Sequence, residues 1–138
     1  MDLPGGTVAF AVPPEVAFDY LVDPHHRAEW QSSLRRVEQV VGEPAVGQRW
    51  VDVTRPGLRP EMTTTVLERP TRWAESGRWR GVRADLELRF AGTPGGCEVA
   101  FGFRIHVLGP VGRAVTALSV PAVRADLRRA AEVLSRRS

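Results

Sequence analysis

The stretch Gly109–Arg137, GPVGRAVTALSVPAVRADLRRAAEVLSRR, is predicted to form one long helix or two helical pieces in line. Val111, Val115 and Leu118 recur at steps of four and three residues, which places them on one helix face. A second apolar stripe continues the segment with Val123, Leu127, Ala130 and Leu134. Because Pro121 lies where the two stripes fall out of phase, it predicts a kink or a break. A helix this long needs a broad apolar surface to cover its stripes.

That surface is predicted by two strands just before the helix, which carry the most regular pattern in the chain. Apolar and polar residues alternate through 82–90 and again through 97–107, with a hairpin turn at 93–96 between them. Alternation with a period of two predicts an antiparallel sheet that has one buried face and one solvated face. The buried face is where we expect the long helix to pack.

The remaining segments extend this sheet. The pattern predicts a strand at 6–12, short helices at 15–21 and 25–31, and strands at 34–41, 48–54, 61–68 and 72–76. The order is therefore strand, two short helices, about six strands and a long helix, which is an α+β arrangement. The simplest packing curls a meander of six or seven antiparallel strands around the C-terminal helix, and we expect a cavity between the two.

Length and composition are typical of one globular domain. The chain has 138 residues, of which 43% are hydrophobic and 25% charged, so we assign 1–138 to a single domain. No apolar run is long enough to cross a membrane, and the N-terminal residues Met1–Pro4 lack the features of a signal peptide. We therefore expect a cytoplasmic protein.

Charge and cysteine content exclude several classes of function. A net charge of +3 is too small to argue for a nucleic-acid partner, although every basic residue is an arginine. The single Cys97 rules out an intrachain disulfide and reads as a structural thiol. The histidines are scattered, so we expect no metal site: they are His25, His26 and His106, the last on the solvated face of its strand.

Short motifs punctuate the chain in a fixed order. They are Pro13–Val16 (PPEV), Asp23–His25 (DPH), Trp30, Val46–Trp50 (VGQRW), Glu68–Arg72 (ERPTR), Gly95–Val99 (GGCEV) and Leu108–Gly112 (LGPVG). In this order and spacing the chain resembles the START-like or SRPBCC superfamily, whose members share the helix-grip fold. Within it, the chain is most similar to the bacterial polyketide cyclase/dehydrase and lipid-transport group. The resemblance covers nearly the whole sequence.

The resemblance implies a cavity for a hydrophobic ligand but does not imply one reaction. We therefore expect a small polyketide- or lipid-like partner, bound either by a carrier or by a polyketide cyclase/dehydrase-like enzyme, with no cofactor. A homodimer is compatible with this interpretation. The alternative is a non-catalytic interaction module, of a stress or toxin type, that acts through a macromolecular partner.

Aromatic residues are the main candidates for the pocket wall, because tryptophan offers flat apolar area and one hydrogen-bond donor. The predicted pocket residues are Trp30, Trp50, Thr64, Trp73, Phe101, Phe103, Val115 and Leu118, and Trp79 is placed to border the same cavity. Alternation leaves the third strand open, since either Trp50, Asp52 and Thr54 or Val51 and Val53 face inward.

Three charged residues are candidates for chemistry in that pocket. If Trp50 faces inward, Asp52 does too, and a carboxylate in an apolar cavity can act as an acid or base. Glu75 shares a face with Trp73 and raises the same possibility. Arg80 shares the apolar side of the following strand, from which it could hold a ligand carboxylate or polarise a carbonyl. For each residue, a solvent-exposed position is the competing interpretation. The loop that carries Arg55, Arg59 and Glu61 is expected near the cavity mouth.

Overall fold

The computed structural model describes residues 3–107 and 111–137. Strands and helices follow one another in the order that the sequence predicts. In chain order they are β1 (Gly5–Phe10), α1 (Pro14–Val22), a 3-10 helix (Pro24–His26), α2 (Arg27–Trp30), β2 (Leu34–Glu38), β3 (Arg49–Thr54), β4 (Glu61–Glu68), β5 (Arg72–Trp79), β6 (Val82–Thr93), β7 (Gly96–His106) and α3 (Val111–Arg137).

The seven strands form one antiparallel sheet in the order β1-β7-β6-β5-β4-β3-β2. Its two edges, β1 and β2, are joined by the short helices α1 and α2. The long helix α3 packs against β1, β7, α1 and α2. This arrangement confirms the predicted α+β helix-grip fold, in which a curved sheet holds a C-terminal helix.

Alternating burial along β6 and β7 places the apolar residues inside, as the period of two predicts. Leu88 and Val99 are fully buried, and Cys97 is 1% exposed. Burial raises the pKa of the Cys97 thiol, which keeps the sulfur protonated and unreactive. The open question on β3 is also answered, because Trp50 and Asp52 are both buried on the inner face.

Of the two predicted alternatives, one long helix or two helical pieces, α3 is one continuous helix with Pro121 inside it. Its second stripe is buried from Leu127 onward. In the first half Gly112 and Thr116 face β7, and the Thr116 hydroxyl accepts a hydrogen bond from the Ile105 amide at 2.9 Å. Leu118, predicted to line the pocket, is 80% exposed, so that prediction is wrong. The first half of α3 approaches the sheet through its small and polar residues instead of its largest apolar ones.

The two stripes of α3 provide a matched test of this packing. We expect Leu127→Ala to lower the free energy of unfolding by about 2–5 kcal/mol, because it empties a fully buried site. Leu118→Ala removes the same atoms from an exposed site and should change it by less than about 0.5 kcal/mol. Urea unfolding followed by tryptophan fluorescence measures both. Equal losses would contradict the difference in burial between the two positions.

Candidate functional site

A cavity of about 350 Å³ lies between the inner face of the sheet and the helices α2 and α3. Most of its wall is apolar, and side chains from six elements contribute to it: Trp30, Met62, Trp79, Leu86, Phe103 and Val123. A cluster of three charged residues forms part of the wall, namely Arg27, Asp52 and Glu75. The cavity therefore combines mostly apolar walls with a charged cluster.

Arg27 is the centre of this polar cluster. It lies on α2, is only 2% exposed, and contacts Asp52 of β3 in a bidentate pair, with Nε–Oδ1 at 3.1 Å and Nη2–Oδ2 at 2.8 Å. Its Nη1 donates to Oε1 of Glu75 on β5 at 3.0 Å, and Nη2 is 3.5 Å from Oε1 of Gln31. One guanidinium thus joins a helix to two strands of the sheet.

Trp50 supports the cluster from the sheet side. Its Nε1 donates to Asp52 Oδ1 at 2.9 Å, and the guanidinium carbon of Arg27 lies 5.0 Å from the ring centroid. The period of two along β3 produces this arrangement, because Trp50 and Asp52 are two residues apart and share a face. Trp50 therefore fixes the carboxylate that holds Arg27.

The position of Arg27 depends on the turn that precedes α2. Asp23 caps the 3-10 helix, because its side chain accepts a hydrogen bond from the His25 amide at 3.0 Å. Pro24 is buried and fixes the backbone at the first helical position. This short, capped turn directs α2 toward the sheet, where Arg27 reaches both carboxyls.

Electrostatics within the cluster are uneven. Burial raises the pKa of the Glu75 carboxyl above its ordinary value, and the Asp52 charge adds to this, while the Arg27 charge opposes it. Burial alone would lower the pKa of Arg27, but the charges of Asp52 and Glu75 outweigh it and raise that pKa. Within residues 3–107 and 111–137, the second oxygen of Glu75, Oε2, is buried without a hydrogen-bond partner. Glu75 is therefore the carboxyl of the cluster that has spare hydrogen-bonding capacity.

The structure brings together four of the predicted site residues at the cavity wall: Trp30, Phe103, Asp52 and Glu75. Trp79, also expected to border the cavity, lines it as well. Four other predicted residues lie elsewhere in the interior and do not line the cavity: Trp50, Thr64, Trp73 and Phe101 are buried in the core. Val115 is half-buried on α3 and does not line the cavity either.

Arg80 does not enter the cavity. Strand β5 continues to Trp79 instead of ending near Ser76, so Arg80 falls in the turn before β6 and has a positive φ of 54°. Its guanidinium carbon lies 5.0 Å from the ring centroid of Trp79, and the residue is exposed. The competing interpretation of Arg80, a strand-end arginine in solvent, is the correct one.

The other singled-out polar residues lie outside the cavity as well. His106 contacts Asp85 on the outer face, with Nε2–Oδ2 at 2.8 Å. At the expected mouth, Arg55 donates to the Ser32 carbonyl at 2.8 Å and Arg59 pairs with Glu38 at 2.7 Å. None of these side chains lines the cavity.

A second depression of about 860 Å³ lies on the outer face of the sheet. Its wall is mostly polar and charged, including Arg49, Glu61, Arg78, Arg83 and Asp85. Although it is larger, it offers little apolar area to a ligand, so we place the candidate binding site in the inner cavity.

Sequence analysis missed Arg27, the residue on which the cluster depends. It lies in a four-residue helix, where no periodicity distinguishes one face from another. A signal was nevertheless present, because two carboxylates predicted to face one apolar interior require a buried cation. Among the described residues, no group of three or more His, Cys, Asp and Glu side chains could hold a metal ion. In that same part of the chain, no helix is both long and apolar enough to span a membrane.

The fold defines a helix-grip domain that has a cavity between its sheet and its helices. A sequence model of the family described as polyketide cyclase / dehydrase and lipid transport matches residues 6–138, and the chain belongs to that family. This confirms the resemblance to the SRPBCC superfamily. A comparison with curated proteins finds no match.

Solved structures support the same fold at low sequence identity. Protein MLL2253 from Mesorhizobium loti is 17% identical with a TM-score of 0.78, and the alignment covers 96% of each chain. A Rhodobacter sphaeroides protein is 21% identical with a TM-score of 0.69, over 98% of this chain and 97% of its own. Ara h 8.0201 is 15% identical with a TM-score of 0.67, over 94% and 95%. At these identities the likeness establishes the fold alone.

Removing the central cation tests whether the cluster stabilises the fold. We expect Arg27→Met to lower the free energy of unfolding by about 3–5 kcal/mol, because it leaves two buried carboxyls without their partner. The matched control is Arg69→Met, which removes a bidentate contact to Asp19 at the surface and should change stability little. Guanidinium chloride unfolding measures both. Similar effects of the two substitutions would contradict a central role for Arg27.

The raised pKa of Glu75 predicts a pH dependence of stability. A carboxyl whose pKa is higher in the folded state binds its proton more tightly there, so its contribution falls as pH rises from about 4.5 through the folded pKa. Glu75→Gln removes this titration and keeps an oxygen for Arg27. We therefore expect the stability of the wild type, relative to that of the variant, to decrease between acidic and neutral pH. A relative stability that stays constant or increases in urea unfolding over that range would be inconsistent with a raised pKa.

Proposed function

We propose that this domain binds a small hydrophobic molecule, polyketide- or lipid-like, in the cavity between the sheet and α3. The observation that carries the proposal is the cavity itself, about 350 Å³ in volume and walled mainly by apolar side chains. Ligand pockets in proteins span about 300–1,000 Å³ and combine apolar walls with a few polar groups. The inner cavity matches both properties, toward the small end of the range.

The aromatic wall supports a flat or elongated apolar ligand. Trp30 comes from α2, Trp79 from the end of β5 and Phe103 from β7, so the rings approach the cavity from three elements. Large aromatic side chains contribute apolar contact area with little conformational freedom to lose on binding. Removing ligand surface from water against such walls supplies affinity at roughly 25 cal/mol per Å².

An open cavity also bears on the alternative function. A non-catalytic interaction module would act through its surface, and we would expect its interior to be filled. Here the wall carries a small residue, Ala84, at a position where a larger side chain would reduce the cavity. This supports ligand binding over the interaction module. A cytoplasmic location and a homodimer remain predictions from the sequence.

The site favours one second candidate, cyclase- or dehydrase-like catalysis. Glu75 lines the cavity, has an oxygen without a partner among the described residues, and retains its proton to a higher pH than an ordinary carboxyl. Such a group can donate a proton or a hydrogen bond to a ligand oxygen. Asp52 is held by Arg27 and Trp50, so we assign the acid role to Glu75 and a positioning role to Asp52. Product analysis after incubation with a bound ligand distinguishes a catalyst from a carrier.

Filling the cavity tests the binding proposal. Ala84 lies on the inner face of β6 and lines the cavity, so Ala84→Phe should place a ring in it. We expect the affinity for a neutral apolar dye such as Nile red to fall at least about tenfold, measured by fluorescence titration. The matched control is Ala100→Phe, which adds the same ring to the exposed outer face of β7 and should leave the affinity unchanged.

Native mass spectrometry of the purified protein, followed by solvent extraction, gives an independent measurement. A reproducible apolar adduct that Ala84→Phe abolishes would support the proposal. If the dye fails to bind the wild type and no adduct appears, the cavity is not a ligand site.

A further inference from the structure

The charged groups at the cavity wall restrict which hydrophobic molecules can enter. Within the described residues, the ionisable side chains that line the cavity are Arg27, Asp52, Glu75 and Asp126. One cation therefore stands against three carboxyls. We propose that the cavity accepts uncharged, oxygen-bearing hydrophobic molecules, such as long-chain alcohols and ketones, and rejects carboxylates. This inference rests on the proposed function and specifies its ligand class.

The single cation is already occupied. Arg27 uses Nε and Nη2 for the two oxygens of Asp52 and Nη1 for Glu75, at distances of 2.8–3.1 Å. It is 2% exposed, so it cannot turn toward a ligand without leaving two buried carboxyls unpaired. A ligand carboxylate would thus find no free positive partner in the cluster.

Asp126 adds negative charge on the helix side of the cavity. It lies on α3 and accepts hydrogen bonds from the amide and the hydroxyl of Ser32, at 3.2 and 3.1 Å. Burial raises the pKa of Asp126 above its ordinary value, even though these bonds and the Arg129 charge oppose the rise. The surroundings therefore already disfavour negative charge, and a bound anion would meet both desolvation and repulsion.

Two buried polar atoms on wall residues suit an uncharged oxygen. Neither Nε1 of Trp30 nor Oε2 of Glu75 has a hydrogen-bond partner in 3–107 or 111–137. The indole N–H is a donor only, whereas the carboxyl group can accept, or donate when it is protonated. Both atoms have almost no accessible surface, so a ligand carbonyl can accept from either group, and a hydroxyl can also donate to the carboxyl, only after a small movement of the side chain. Buried polar groups normally have partners, so such a ligand would complete the site.

Three ligands with one chain length separate charge from chain burial. Decanol, decylammonium and decanoate are each competed against Nile red at about pH 8, where a free carboxylic acid is ionised and a free alkylamine is protonated. We expect decanol to bind most tightly, and decylammonium to bind at least about tenfold more tightly than decanoate. Any apolar cavity disfavours both ions, so the difference between the ions is the informative measurement.

Asp126→Asn identifies the source of the selectivity. The variant keeps an oxygen for Ser32 but removes a cavity charge, so the ratio of decanoate to decylammonium dissociation constants should fall at least about threefold. Glu61→Gln removes the same charge from the outer face and should leave the ratio unchanged. If decanoate binds as tightly as decylammonium, for example with its carboxylate at Arg55 outside the wall, the inference is wrong. Failure of Nile red to bind the wild type, together with the absence of an apolar adduct, would instead overturn the proposed function.

Discussion

The buried contact of Arg27 with Asp52 and Glu75 is the interaction on which the rest of the structure depends. Three ionisable side chains from α2, β3 and β5 lie within a few ångströms of one another, and each is less than 5% exposed. Charges at such depth are tolerated only when they are paired and hydrogen-bonded, so the three elements must hold one relative position. The ion pairs of Arg27 therefore hold α2 against the sheet, because a helix of four residues is not stable on its own.

The contact of Arg27 with Asp52 and Glu75 also explains why a cavity is present next to a well-packed core. The far half of α3 packs through Leu127, Ala130 and Leu134. Its near half approaches β7 through Gly112 and Thr116, which hold the backbone against the strand without filling the interior. Between this half and the anchored α2, the inner face of the sheet remains uncovered, and the cavity occupies that space.

The parts of the fold and of the site that could be predicted are those that leave a periodic pattern in the local sequence. Period-two alternation on β6 and β7 and the second apolar stripe of α3 are strong local signals, and they predicted a sheet curled around the C-terminal helix. The helix-grip fold itself was implied by the resemblance. The inward position of Asp52 and Glu75 was accessible as one of two alternatives. Arg27 was not, because its partners are 25 and 48 residues away and no local periodicity reports such pairing. The prediction for Leu118 was wrong because the first apolar stripe of α3 was assumed to pack against the sheet. The prediction for Arg80 was wrong because β5 was assumed to end near Ser76.

The separation between the charged cluster and the apolar wall has a consequence for evolution. The cluster draws on Arg27, Asp52, Glu75 and Trp50, whereas the wall is made by residues such as Leu86 and Phe103 that take no part in it. Substitutions in the wall can reshape the cavity while the ionic anchor keeps the helix and sheet in place. A scaffold arranged in this way is evolvable, because the shape of its cavity can change without loss of the contacts that stabilise the fold.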